Sequence, residues 1–61
     1  MLLTNEEAAA LLRVAPTTLK TWRREGRGPQ AYYLNGAVRY KPAEVTAWIE
    51  ANLSTTKPAG R

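Results

Sequence analysis

Four cations stand on and just beyond one short stretch, "TTLKTWRREGR": Lys20, Arg23, Arg24 and Arg27, with Glu25 as the single acid. One of the chain's two tryptophans, Trp22, sits in their midst. On a helical wheel Leu19 and Trp22 share one side, where an apolar pair spaced i, i+3 reads as core. Thr17, Lys20, Thr21 and Arg24 point the other way, with Arg23 on the flank. Small hydroxyls interleaved with cations can bond phosphate oxygens, and arginine and threonine suit the edges of bases in a groove. A basic helix on its own is usually a solvated face. The elements around it have to decide.

Composition bounds the alternatives. Sixty-one residues make one domain at most, and a chain of this size buries about 60% of its unfolded surface. Neither histidine nor cysteine is present. The usual general base, the commonest metal ligands and any disulfide framework are therefore missing. The five carboxylates form no paired constellation and no glycine-rich phosphate loop occurs, so no enzyme and no cofactor are expected. No apolar run approaches a membrane span, and the opening "MLLTNEE" lacks the pattern of a leader, so a cytoplasmic location and no membrane partner are expected. Net charge is +4, unevenly spread. From Arg13 to Lys41 seven cations face Glu25 alone, whereas Glu6, Glu7, Glu44 and Glu50 lie in the outer segments. That asymmetry predicts one side facing a polyanion and a neutral-to-acidic back.

The elements follow from local signals. "TNEE" has the form of a capping box, with Thr4 and Glu7 as the reciprocal pair and Leu3 placed to staple onto Ala8. Ala8, Leu11 and Leu12 then recur at helical spacing, giving a first helix over about 5–12. Pro16 ends the intervening turn and opens a second helix over roughly 16–25, with Gly26 as a left-handed cap. Two short helices so close together form a helix-turn-helix pattern. "QAYYLNGAVRYK" reads as a hairpin around Asn35-Gly36. A two-residue turn puts Tyr33 opposite Val38, and a slip by one brings in Leu34; the pattern fits both. In either register Arg39 faces away from Val38 and Tyr40, and with Lys41 it forms a cationic face that a neighbouring backbone or minor groove would attract. Pro42 opens a last helix with Val45, Trp48 and Ile49 as its stripe and Leu53 closing it. Residues 54–61, "STTKPAGR", read as a disordered polar tail. The expected fold is mainly α with a small β-hairpin, a winged helix-turn-helix in the order helix, helix, wing, helix, over residues 1–53. Basic helix and basic hairpin together point to double-stranded DNA, with the second helix in the major groove. A protein-interaction adaptor is the competing class, separated by binding to random duplex at low salt.

The strings "LLTNEEAAALLRVAPTTLKTW" and "NGAVRYKPAEVTAWI" resemble the small winged-helix excisionase and MerR-like DNA-binding family over residues 2–53. The resemblance rests on Leu2 to Leu12, Thr17 to Trp22, Gly36 to Lys41, and Val45 to Ile49. It implies that the second helix enters the major groove and the wing meets the adjacent minor groove. By position it implicates Thr17, Thr18, Lys20, Thr21, Arg23, Arg24 and Arg39, to which the residue reading adds Lys41. The family commonly has glycine where Arg13 stands. A side chain in the left-handed region costs about 1 kcal/mol, so the turn is adjusted, or Arg13 offsets the strain, for instance on a phosphate, or the strain is simply borne. Eight polar residues follow Leu53, with no long dimerisation helix of the MerR type. The expectation is an excisionase, several copies of which fill adjacent sites, bend attachment-site DNA and direct a site-specific integrase in a bacterial host. A small promoter-binding regulator is the alternative.

Overall fold

In a computed structural model, which describes residues 1–53, the chain forms α1 (Asn5–Leu12), α2 (Pro16–Arg24), β1 (Ala31–Leu34), β2 (Ala37–Tyr40) and α3 (Pro42–Asn52). This is a small winged helix-turn-helix: three helices and a two-stranded antiparallel hairpin. The polar tail expected over 54–61 lies outside the described residues.

α1 begins where the sequence places it. Glu7 N donates to Thr4 Oγ1 at 3.1 Å while Thr4 N donates to Glu7 Oε1 at 2.9 Å, satisfying two donors that the first turn would otherwise leave bare. Leu3 and Ala8 are buried in one cluster, as a staple requires.

Both helices of the helix-turn-helix end in the same way. At the end of α1, Val14 N donates to Ala9 O and Arg13 N to Ala10 O, with Arg13 at φ 62 and ψ 40. At the end of α2, Arg27 N donates to Trp22 O and Gly26 N to Arg23 O, with Gly26 at φ 76. These are two Schellman closures, each built on one left-handed residue. The turn after α1 is therefore not rearranged to suit Arg13; the arginine adopts the glycine conformation. α2 is one residue shorter than expected because Glu25, at φ −90 and ψ 2, has already left the helix.

The hairpin settles its register at Tyr33 opposite Val38 and Tyr32 opposite Arg39. Asn35 at φ 52 and Gly36 at φ 82 are the two left-handed positions of a two-residue type I′ turn, whose twist matches that of the strands. The slipped alternative with Leu34 is excluded. β2 then gains a second partner: Leu3 and Tyr40 exchange both backbone bonds at 2.8 Å, so the segment before α1 extends the hairpin by one isolated bridge.

Leu3, Ala8, Ala9, Leu19, Tyr40 and Val45 form the core, ringed by Leu12, Val14, Trp22, Ala31, Val38 and Ile49. α1 is the hub, packing on α2, α3 and β2, and its alanines let the other elements approach closely. Trp22 of α2 meets Trp48 of α3 with ring centroids 5.6 Å apart and planes tilted by 42°, within the range of favourable aromatic pairs. Leu53 does not close the stripe of α3. It is 66% exposed, because its extended backbone (φ −68, ψ 135) leaves the helix before the side chain can turn inward.

Replacing Tyr40, which is fully buried, by alanine is expected to cost about 3–5 kcal/mol, comparable to the whole stability of a domain of this size. Circular dichroism should then show a largely unfolded chain at 25 °C. Arg13→Gly should act in the opposite sense, raising stability by up to about 1 kcal/mol in a denaturant titration, since it relieves a left-handed side chain. An unchanged or lower midpoint for Arg13→Gly would mean that Arg13 makes a compensating contact.

Candidate nucleic-acid interface

The outward side of α2 is as the wheel places it. Leu19 is 1% exposed and Trp22 half-buried against the core, while Thr17, Lys20 and Arg24 are exposed and Thr21 is half-buried between them. Thr18 and Arg23 occupy the two flanks and are both half-buried. The first turn of α2 carries no acid, and its last turn carries Arg23 and Arg24, the sign that suits a helix C-terminus.

Arg23 differs from its neighbours. Its Nη1 donates to Asn5 Oδ1 at 2.9 Å and to Tyr40 Oη at 3.1 Å, while Asn5 Nδ2 donates to Pro16 O at 3.2 Å. A single guanidinium corner thus ties together the start of α1, the body of α2 and the end of β2. Among the described site residues of α2, Arg23 is the one whose side chain is hydrogen-bonded to other elements of the fold.

The hairpin has two faces with different neighbours. Tyr32, Arg39 and Lys41 share the face turned toward α3. Tyr32 Oη donates to the Glu44 carboxylate, 2.7 Å from Oε1 and 2.9 Å from Oε2, and Lys41 Nζ lies 4.5 Å from the centre of the Tyr32 ring. Arg39 is half-buried and its Nη1 donates to Val38 O at 2.7 Å. The opposite face carries Val38 and Tyr40 into the core and, nearer the tip, Tyr33 at 68% exposure. Tyr33 shares a cleft with Arg23, Arg27 and Gln30 at the end of α2. Arg39 therefore belongs to the wing as expected, whereas Lys41 stands just past it as the N-cap of α3, and both lie on the side away from the end of α2.

Arg27 lies just past the α2 closure. Its Nη1 pairs with Glu25 Oε1 at 3.0 Å, and its guanidinium carbon stands 5.8 Å from the centre of the Trp22 ring. Gly28 follows at φ +82, a conformation that strains any side chain, and a Cβ there would also press on Trp22, 3.2 Å from Cε3. Gln30 and Tyr33 escaped the sequence reading because nothing in "GRGPQAYY" marks which side of the hairpin turns toward α2. The break itself, a glycine-rich loop joining α2 to the hairpin, was the available signal.

A family model described as a helix-turn-helix domain matches residues 2–53. The chain belongs to that helix-turn-helix domain family. No curated protein and no solved structure matches it. The family is a DNA-binding one that includes excisionase-like proteins, and its membership makes this a sequence-specific DNA-binding domain. Among the described residues of this helix-turn-helix protein, no helix is long and apolar enough to cross a membrane.

The two neighbouring arginines of α2 should separate cleanly. Arg23→Ala is expected to lower stability by about 1–2 kcal/mol, because Asn5 and the Tyr40 hydroxyl lose their shared partner. Arg24→Ala should leave the thermal midpoint unchanged and weaken specific duplex binding by about 1–3 kcal/mol if it reads a base. Equal melting losses for the two would contradict this division.

The Tyr32–Glu44 contact gives a second check. The hydrogen bond to Glu44, then burial, then the negative charge of Glu44 hold the Tyr32 phenol above its ordinary pKa. A folded value raised above the unfolded one stabilises the fold below the unfolded pKa of about 10, and this contribution is lost as pH rises through the higher folded value. In an ultraviolet phenolate titration Tyr32 should therefore ionise late, and Glu44→Gln should bring it back toward the ordinary range.

Proposed function

We propose that this helix-turn-helix protein is an architectural DNA-binding factor of the excisionase kind. Several copies occupy adjacent sites cooperatively, bend attachment-site DNA and direct a site-specific integrase toward excision, with no catalysis of their own. In this reading α2 lies in the major groove, where Thr17, Thr18, Thr21 and Arg24 reach base edges and Lys20 the backbone. The hairpin lies at the adjacent minor groove, where Arg39 and Lys41 supply the positive field that a narrow groove attracts.

The observation that carries the reading is the fixed relation of helix and wing. The Leu3–Tyr40 bridge, the Arg23–Tyr40 hydrogen bond and the Tyr32–Glu44 contact hold the hairpin against α1, α2 and α3 at once. A rigid two-point grip lets a small protein impose a shape on DNA, because duplex that does not match its spacing has to deform to satisfy both contacts. A single module of this size covers about 600–1,000 Å² on DNA, too little for strong selection alone, which favours action in arrays. Glu6 and Glu50, both exposed, are the acids available to a neighbouring copy; Glu7 is engaged by Thr4 and Glu44 by Tyr32. Such exposed pairs would add orientation more than energy, at about 1 kcal/mol or less each.

The test is a titration of duplexes bearing one, two and three adjacent sites, followed by gel shift and by circular permutation of the site within the fragment. Cooperative filling with a bend that grows with the number of bound copies is the expected result. Independent filling of straight DNA would exclude the architectural role and leave a simple promoter-binding regulator.

A further inference from the structure

If α2 occupies the major groove and the hairpin the adjacent minor groove, one sugar–phosphate strand has to pass between them, since that strand is what separates the two grooves. The molecule has a recess at that place. A cleft of about 330 Å³ opens between the end of α2 and β1, walled by Arg23 and Arg27 on the helix side, by Gln30 and Tyr33 on the hairpin side, and by Gly28 and Pro29 beneath.

We propose that this cleft is a backbone seat, taking the phosphodiester strand that runs between the two grooves, with Arg27 and Gln30 as its principal donors and Tyr33 as its outer wall. The inference rests on the DNA-binding geometry proposed above and names the part of the duplex that this surface receives. The lining holds two arginines and no acid, so its charge matches phosphate. Arg27 commits Nη1 to Glu25 and lays its plane near Trp22, a pairing that holds the fork in place and leaves Nη2 and Nε outside that bond. Its side chain is 64% exposed, so a strand can reach it. Gln30 and Tyr33 are exposed on the other wall; Gln30 Nε2 donates one hydrogen to Ala31 O at 2.9 Å and keeps its second for the strand, and the phenol of Tyr33 supplies a further hydroxyl. A buried Pro29 and a glycine at φ +82 keep the floor low and free of side-chain bulk, as a close-passing backbone requires. Arg39 and Lys41 cannot serve this strand, because they stand on the opposite hairpin face beside Tyr32 and Glu44.

A backbone contact predicts a different signature from a base contact. The experiment uses the full chain and a short duplex with one site, and compares wild type with Arg24→Ala, Arg27→Gln, Gln30→Ala and Tyr33→Phe. The readouts are the salt dependence of Kd, phosphate-ethylation interference and thermal melting. Arg27→Gln should weaken binding about tenfold, alike on specific and unrelated sequences, and reduce the log–log salt slope by about 1. Ethylation of one phosphate on the strand between the two contacted grooves should block wild-type binding and lose that effect in Arg27→Gln and Gln30→Ala. Should Arg27→Gln melt early through its loss of the Trp22 contact, Gln30→Ala and Tyr33→Phe decide the matter, since both sites are exposed. Wild-type salt slopes and an unchanged interference pattern in the cleft variants, with Arg24→Ala still weakened, would overturn the backbone seat and leave DNA binding standing. A wild-type chain with no affinity for duplex at low salt would overturn both.

Discussion

Tyr40 is the residue on which the remainder of the structure depends. Its backbone pairs in both directions with Leu3, its ring is fully buried beside Leu19 and Val45, and its hydroxyl accepts from Arg23. It stands at the end of β2, one residue before the cap of α3 and against the helix-turn-helix. With so short a chain, a hairpin of four-residue strands would be marginal in water. Tyr40 converts it from an appendage into part of the fold. The wing has a defined place relative to α2 because this one side chain is shared between them.

The same economy appears in the charges. Few side chains serve binding alone. Arg23 links three elements, Glu44 anchors Tyr32, and Arg27 combines an ion pair with an aromatic contact. Lys20 and Arg24 stay outward on α2 and exposed. The cations of α2 thus fall into one that the fold uses, Arg23, and two that it leaves exposed, Lys20 and Arg24. In the proposed interface, substitution of the first disturbs the geometry, whereas substitution of the others removes a contact.

The two helix closures show how local rules bend under tertiary demand. Gly26 meets the left-handed requirement at no steric cost, whereas Arg13 meets it with a side chain. The strain at Arg13 persists because the Schellman bonds to Ala9 and Ala10 and the half-buried Val14 that follows fix where α2 must begin. Packing of Leu19 against α1 outweighs a local conformational penalty of about 1 kcal/mol.

Much of this fold is legible in the amino-acid sequence, because its signals act over a few residues. Thr4 and Glu7 cap α1, Pro16 and Pro42 open α2 and α3, Asn35-Gly36 turns the hairpin, and the spacing of Leu19 and Trp22 orients α2. Each is a hydrogen bond, a fixed φ or a helical period contained within its own segment. The outward faces of Lys20 and Arg24 follow from the same local geometry. Other features required the tertiary structure. The Leu3–Tyr40 bridge and the employment of Arg23 by Asn5 and Tyr40 join residues distant in sequence, and the hairpin register and the placing of Tyr33 with Arg27 around one cleft, though shorter in range, are choices that the strand pattern leaves open. A period-2 strand pattern says that Arg39 and Val38 face opposite ways, but not which face turns toward α2. That choice is made by the buried ring of Tyr40 and the Tyr32–Glu44 hydrogen bond, contacts that exist only once the helices have assembled.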